Sequence, residues 1–409
     1  MRGHLLRRVW KYNPALHAPP RYRRACEYDA FVPEPIADLA ISLPGEMGAV
    51  VSEAETAIAR LNSQASPALV PLARLLLRTE SIASSKVEGM QVDARTLARA
   101  EVAHAAGRSI GTNAIEVLAN IDAMQFAIEQ TSATREIVPE DLLAIHRVLL
   151  ERAPNRAVAG RFRDKQNWIG GNDYNPCGAE FVPPPPEEVG RLVNDLCNFC
   201  NTEDLPPLVQ AAIAHAQFET IHPFEDGNGR TGRALVQVVL RRRGLAPTFV
   251  PPISVVLARD RERYIRGLAL FRQDRIAEWL GIFAAAAARA ATLAARYVEL
   301  VTELQAQLRK QLRETTSPRA DAAAWAIIDV LPAYPIITVP VAVAATRRSK
   351  PAVNHAVREL VNAGVLTLVS RSQRNRAWEA VGLLDLIIQL EAGADWEPAS
   401  TDPSRPSAR

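Results

Sequence analysis

Residues 222–233 read His-Pro-Phe-Glu-Asp-Gly-Asn-Gly-Arg-Thr-Gly-Arg, and they interrupt two apolar, helix-patterned segments, residues 205–218 and 234–243. A single helix cannot run through this stretch. Gly227-Asn228-Gly229 tolerates positive φ and lets a backbone come close to a ligand, so the chain turns there and a second helix starts. A glycine-rich turn feeding a helix start points several N–H groups outward at the positive end of the dipole, which makes an anion seat. Arg230 and Arg233 fall three apart on one face of that helix, where two guanidinium forks can grip phosphate oxygens. Asp226 is a hard oxygen ligand of the kind Mg²⁺ takes when phosphates fill its other positions. His222 is the neutral-pH base of the set. Base, carboxylate, cradle and arginine clamp describe nucleotide phosphoryl-group chemistry; the alternative is a surface helix–turn–helix corner with a solvated charge cluster.

Composition sets wider limits. At 409 residues the chain exceeds one ordinary core, and two or three domains are expected. Hydrophobic residues at 48% and charged residues at 23% are ordinary for a globular protein. A net charge of +3 is too small to imply a polyanion partner by itself. No uninterrupted apolar run looks long enough for a bilayer and the N-terminus lacks an apolar signal core, so no membrane partner is expected. Cys26, Cys177, Cys197 and Cys200 do not make a disulfide framework at this length; Cys197 and Cys200 read as buried free thiols on a helix, and a cytoplasmic, reducing compartment fits.

The motif resembles the Fic motif, His-Pro-Phe-x-(Asp/Glu)-Gly-Asn-Gly-Arg-x-x-Arg, with every fixed position filled. Upstream, Ser84 and Glu88 lie four apart on a helical face and Gly89 is a helix stop. A carboxylate near the negative end of a helix needs a compensating cation. That stretch resembles the inhibitory-helix motif of Fic proteins, (Ser/Thr)-x-x-x-Glu-(Gly/Asn), through Ser84, Glu88 and Gly89.

The resemblance implies a mainly α fold: a Fic-type helical bundle with a β-hairpin flap. It also implies an autoinhibited protein adenylyltransferase, a nucleotidyltransferase that moves AMP from ATP to a Tyr, Ser or Thr hydroxyl of a protein, the chain itself included among targets. His222 becomes the general base, Asp226 the Mg²⁺ ligand, and Asn228 with the N–H groups of Gly227 and Gly229 the phosphate cradle. Arg230 steadies the leaving pyrophosphate, Arg233 pairs with the γ-phosphate, and Phe224 buries itself to anchor the loop. Tyr264 either stacks on adenine or is a core tyrosine. Glu88 reaches Arg233 and occupies the place of the γ-phosphate. Removal of AMP, transfer of another nucleotide such as UMP, and a nucleotide-sensing DNA-binding regulator stay open, as does a homodimer.

Along the chain, residues 1–43 are rich in Pro, Arg and aromatics without a sustained period and read as an extended segment on the folded body. Helical spacing marks residues 49–61, 67–78, 94–106, 114–130 and 139–152, with His146 a packed core histidine. Residues 167–171 and 179–182 flank a Gly/Asn/Pro-rich connection and read as the hairpin, which in Fic proteins grips a target by strand addition. Arg241-Arg242-Arg243 reads as a solvated helix end, and a long Ala-rich run covers 276–312. Beyond a Thr/Ser/Pro linker, the order of elements resembles a winged helix. There Arg347, Arg348, Lys350 and Asn354, with Arg371 and Arg374 on the wing, face either a duplex or another protein. The expected division is an N-terminal extension with the inhibitory helix at 1–110, a catalytic core at 111–315, a winged-helix-like domain at 319–390 and a mobile tail at 395–409.

Overall fold

Apolar positions recurring at helical spacing dictate most of the architecture. The structure, a computed structural model, describes residues 3–15, 17–65, 69–130, 136–369 and 376–392. Helices α1 (Gly45–Ser63), α2 (Val70–Val87), α3 (Ala94–Ala105), α4 (Thr112–Gln130) and α5 (Pro139–Leu150) precede an irregular stretch. After it come α6 (Pro186–Cys200), α7 (Pro207–Ile221), α8 (Asn228–Arg242), α9 (Ile253–Arg259), α10 (Arg261–Arg272) and α11 (Ile276–Thr316). Prolines open α5, α6 and α7, where a missing N–H has no intrahelical partner to lose.

The core sits around α7. Every residue from Leu208 to Ile221 is buried, because α1, α6, α8, α10 and α11 all pack against it. A helix enclosed on every side carries no amphipathic stripe, and its few polar residues must find partners inside. Against the expectation of no such run, α11 is long and apolar enough by length and composition to cross a membrane; half of its apolar window is buried within the protein.

Helix α2 is the second organising element. Arg78 through Ser85 are all buried, and α4, α8 and α9 surround them. Asn120 on α4 donates to the Ser81 carbonyl at 2.7 Å. Ser254 gives the Glu80 carboxylate both its N–H (2.8 Å) and its hydroxyl (2.6 Å). Burial pushes the Glu80 pKa up to about 7, against the lowering effect of those bonds. The C-terminal end of α2 is therefore fixed in position.

The first residues depart from expectation. They form an antiparallel ribbon of β1 (Gly3–Trp10) and β2 (Cys26–Pro33), in register from Gly3 opposite Pro33 to Trp10 opposite Cys26. The ribbon escapes a periodicity reading because only part of it is covered: Leu5 and Val9 face outward, while Ala30, Phe31 and Val32 are buried. Cys26 and Cys177 are joined as a disulfide with Cα atoms 6.3 Å apart, a pairing across 151 residues that spacing alone does not reveal. Cys197 and Cys200 are buried free thiols, as expected.

The hairpin at 167–182 is also reduced. Its pairing is one antiparallel bridge, Ile169 opposite Phe181, and side chains hold the rest. The Asn172 side-chain oxygen accepts from the N–H groups of Tyr174 and Asn175, and Trp168 Nε1 donates to the Asn172 carbonyl. Turn chemistry replaces a ladder in a stretch rich in Asn, Gly and Pro. Arg243, expected in solvent, instead donates to the Gln210 side chain at 2.6 Å and to the carbonyls of Thr202, Glu203 and Leu205.

The C-terminal unit runs α12 (Ala323–Val330), β3 (Ile336–Thr338), α13 (Val339–Thr346), α14 (Lys350–Asn362), β4 (Leu366–Leu368), β5 (Ala377–Ala380) and α15 (Leu383–Glu391), with β3 and α15 added to the elements that periodicity indicated. Its sheet runs β3-β5-β4, antiparallel throughout. Arg347, Arg348, Lys350 and Asn354 are exposed. The wing residues Arg371 and Arg374, and the expected tail at 395–409, lie outside the described residues. The unit's core is continuous with Leu72, Leu75 and Leu76 of α2 and with Ala94 and Ala98 of α3. Lys86, two residues before Glu88, pairs at 2.7 Å with the buried carboxylate of Glu391 on α15.

Candidate functional site

The site is the corner between α7 and α8. His222 ends α7 in the left-handed conformation (φ 50°), its N–H capping the Phe218 carbonyl at 2.8 Å. Gly227 starts α8, also left-handed (φ 78°). Between them Phe224 is fully buried and stacks on His146, with ring centroids 3.7 Å apart. His146 is a core histidine with a positioning role. Its Nδ1 accepts from the Gly160 N–H (3.0 Å), so Nε2 carries the proton and donates to the Asp226 carbonyl at 2.9 Å. Burial lowers its pKa to about 4, keeping the ring neutral.

Asn228 closes the bend on itself: its side-chain oxygen accepts from the Phe224 N–H at 2.9 Å and its amide donates to the Phe224 carbonyl at 2.8 Å. Its side chain thus closes the loop onto its own backbone. Asp226 is nearly half exposed at the rim. One of its carboxylate oxygens accepts from Asn155 Nδ2 and the other from the Gly227 N–H, both at 2.6 Å. Arg230 is buried, with guanidinium nitrogens 3.4 Å from Glu116 and 3.6 Å from Asp226.

Arg233 is 2% exposed. Its Nε donates to the Ser84 hydroxyl and its Nη2 to the Ser84 carbonyl, each at 2.8 Å. The same Nη2 meets Glu88 Oε1 at 2.7 Å. Burial opposes the guanidinium charge, but the Glu88 carboxylate more than offsets this and the Arg233 pKa is raised. For Glu88, burial pushes upward and Arg233 outweighs it, so its pKa is lowered. Gly89 follows at φ 86°, turning the chain away once Glu88 is placed. A Cβ built on Gly229 would overlap Glu88 Oε1 and stand 2.8 Å from Arg233 Nη1. An anionic oxygen from α2 therefore rests directly on the backbone of the first turn of α8.

Sequence reasoning placed His222, Phe224, Asp226, Gly227, Asn228, Gly229, Arg230 and Arg233 in one stretch, and the fold brings Ser84, Glu88 and Gly89 to it. Tyr264 takes the core alternative. It is 2% exposed, its hydroxyl lies 2.9 Å from His215 Nε2 and its ring stacks on the His215 ring, so no open face is left for a base. Three contributors went unread. Asn155 holds Asp226. Arg163 donates from Nε to the His222 carbonyl at 2.8 Å and from its Nη atoms to the carbonyls of Lys165, Pro184 and Ile221. Glu219 lies under the His222 ring, Oε2 3.9 Å from Nδ1. A signal existed for the last: Glu219 is the one acidic residue of an otherwise enclosed helix. His222 is one-fifth exposed. Burial and the nearby Arg163 and Arg272 charges lower its pKa to about 4, while the Glu219 carbonyl and Glu88 push the other way.

Two family models match: residues 136–240 fit the Fic/DOC family and residues 49–129 fit the Fic/DOC family N-terminal domain. "Protein adenylyltransferase fic-1" of Caenorhabditis elegans is 31% identical over 158 residues, 36% of this chain and 29% of that protein. "Protein adenylyltransferase Fic" of Drosophila virilis is 30% identical over 181 residues, 44% of this chain and 34% of that protein. The chain thus spans about a third of the length of the curated relatives it matches. Among solved structures, a Fic family protein from Desulfovibrio desulfuricans G20 superposes with a TM-score of 0.50 at 22% identity, covering 83% of this chain and 98% of that one. Fic-1 (aa134–508) from C. elegans does so with a TM-score of 0.50 at 22% identity, covering 62% and 74%. These likenesses identify the helical body as a Fic fold.

Proposed function

We propose that this chain, which carries a Fic/DOC family domain behind a Fic/DOC family N-terminal domain, is a protein adenylyltransferase held inactive by its own Glu88. The observation that carries this reading is the Glu88 carboxylate, seated on the Gly229 backbone and bonded to Arg233. A helix N-terminus with a buried arginine accepts an anion, and here an internal one stands where a terminal phosphate would sit.

In the active arrangement the triphosphate runs along the bend. The N–H groups at the start of α8 bind phosphate oxygens, with Arg230 on the β-phosphate side and Arg233 on the γ-phosphate. Among the described residues no group of three or more His, Cys, Asp or Glu could hold a metal ion. Asp226, a half-exposed carboxylate at the rim, would hold Mg²⁺, which would neutralise charge on the phosphates. His222 takes the proton of a target hydroxyl on a neutral ring nitrogen. The hydroxyl oxygen bonds to the α-phosphorus, the bond from that phosphorus to the bridging oxygen breaks, and pyrophosphate leaves. Arg163 fixes the His222 carbonyl, and with it the strained turn that aims the ring. The bridge at Ile169 and Phe181 leaves backbone near the site for an extended target segment to pair with.

Wild type and E88G, each incubated with Mg²⁺ and ATP labelled at either the α- or the γ-phosphate, test the reading. Label from the α position alone, on the chain itself or on lysate proteins and stronger with E88G, is expected. A γ-derived label, or none from either position with E88G, contradicts it. Competition by excess unlabelled UTP tests whether the base is adenine: α-label that UTP displaces as readily as ATP does contradicts an adenylyl specificity.

A further inference from the structure

An enclosed carboxyl, Glu219, lies next to the catalytic ring. Glu219 lies one helical turn before His222 and is 7% exposed. Its Oε2 is 3.9 Å from His222 Nδ1. Its Oε1 is so close to the α8 backbone that a Cβ at Gly232 would stand 2.9 Å from it. Glu219 Oε1, facing Gly232, is buried without a hydrogen-bond partner, and His222 Nδ1 is buried with the Glu219 carbonyl and Oε2 as neighbours. A carboxyl oxygen buried without a partner is costly to keep unless the group is used. Catalytic hydrogen bonds often stand long in a resting site and tighten when the reacting complex forms.

We propose that Glu219 is a positioning residue for His222, holding the ring with its proton on Nδ1 so that Nε2 is bare toward the target hydroxyl, and stabilising the imidazolium once that nitrogen is protonated. The target's proton goes to Nε2 and stays on the ring until it is lost to solvent; Glu219 takes none of it. This deepens the adenylyltransferase reading and rests on it. The titratable and charged groups facing Glu219 are His222 beside it, His215 one turn earlier on α7, Glu88 at the end of α2, Arg233 on α8, and Tyr264 and Arg272 on α10. Burial raises the Glu219 pKa to about 7, Arg233 and Arg272 lowering it and Glu88 raising it. His222 lies near 4. Between pH 6 and 8 ionisation of Glu219 is therefore expected to contribute to the rate, beside titration of the ATP phosphates, and comparison with E219Q isolates its share.

The test uses the full chain in the E88G background at saturating ATP and Mg²⁺. E219Q is expected to slow transfer by about tenfold to a hundredfold, part of a general-base contribution. The KM for ATP should stay within about twofold, since the carboxyl acts on the base and not on uniform substrate binding. The rise in rate from pH 6 to 8 should flatten in E219Q. In wild-type protein, ¹⁵N-histidine NMR should find His222 protonated on Nδ1, a readout that needs no variant to fold. An E219Q protein matching its parent in rate and pH profile, or His222 protonated on Nε2 in the wild type, overturns the proposal. If instead E88G/H222A keeps transferring AMP, it is the role of His222 as base that fails, whatever E219Q does.

Discussion

E88G is expected to transfer AMP at least about a hundredfold faster than the wild type. The Arg233 guanidinium is almost completely buried and Glu88 about one-third exposed, their closest atoms 2.7 Å apart. Breaking a buried pair by removing one partner costs on the order of 3 kcal/mol, and the exposure of Glu88 places this one at the low end of the usual range. A terminal phosphate that must displace Glu88 meets about that penalty, and each 1.4 kcal/mol is about tenfold in rate. Glycine at 88 removes the competing anion and leaves Arg233 held by the Ser84 hydroxyl and carbonyl. E88Q, similar in size but uncharged, should fall between the two. Initial rates of α-label incorporation measure this. Equal rates for wild type and E88G count against inhibition by Glu88.

The second large effect is loss of the base. In the E88G background, H222A should lower transfer by about a hundredfold to ten-thousandfold, the range of a positioned general base. Nucleotide affinity should change little, because the ring stands at the end of α7 while the anion seat is the start of α8. Burial and neighbouring arginines hold the ring neutral near pH 7, so this activity needs no alkaline shift. A circular-dichroism melt of H222A should stay close to its parent's, since His222 is only a partly buried cap. Retained transfer by a folded E88G/H222A protein refutes the assignment.

The motif was legible because its chemistry is local. Gly227 needs its positive φ, Arg230 and Arg233 share a helical face by spacing alone, and the two flanking helices are periodic. Glu88 was legible for a different reason: an acid at a helix end calls for a cation, and Arg233 supplies it from 145 residues away. What stayed hidden depends on contacts between distant segments. Asn155 bonds Asp226 across 71 residues and Arg163 bonds the His222 carbonyl across 59, and neither belongs to a periodic pattern. The β1–β2 ribbon hid because its burial is uneven: Leu5 and Val9 on β1 face solvent while Ala30, Phe31 and Val32 on β2 are enclosed. The hairpin was over-read because Gly, Asn and Pro can satisfy a backbone with turns as readily as with strand pairing. Tyr264 shows the limit of residue type: an aromatic at helical spacing fits a core or a base equally, and only its partner His215 decides.

The most direct measurement is the crystal structure of E88G with Mg²⁺ and a non-hydrolysable ATP analogue. The expected result is γ-phosphate oxygens within hydrogen-bonding distance of the Arg233 guanidinium and of the first N–H groups of α8, in the space Glu88 Oε1 holds here, with the His222 ring facing the α-phosphorus. A triphosphate bound away from Gly229, with Arg233 making no phosphate contact, contradicts it.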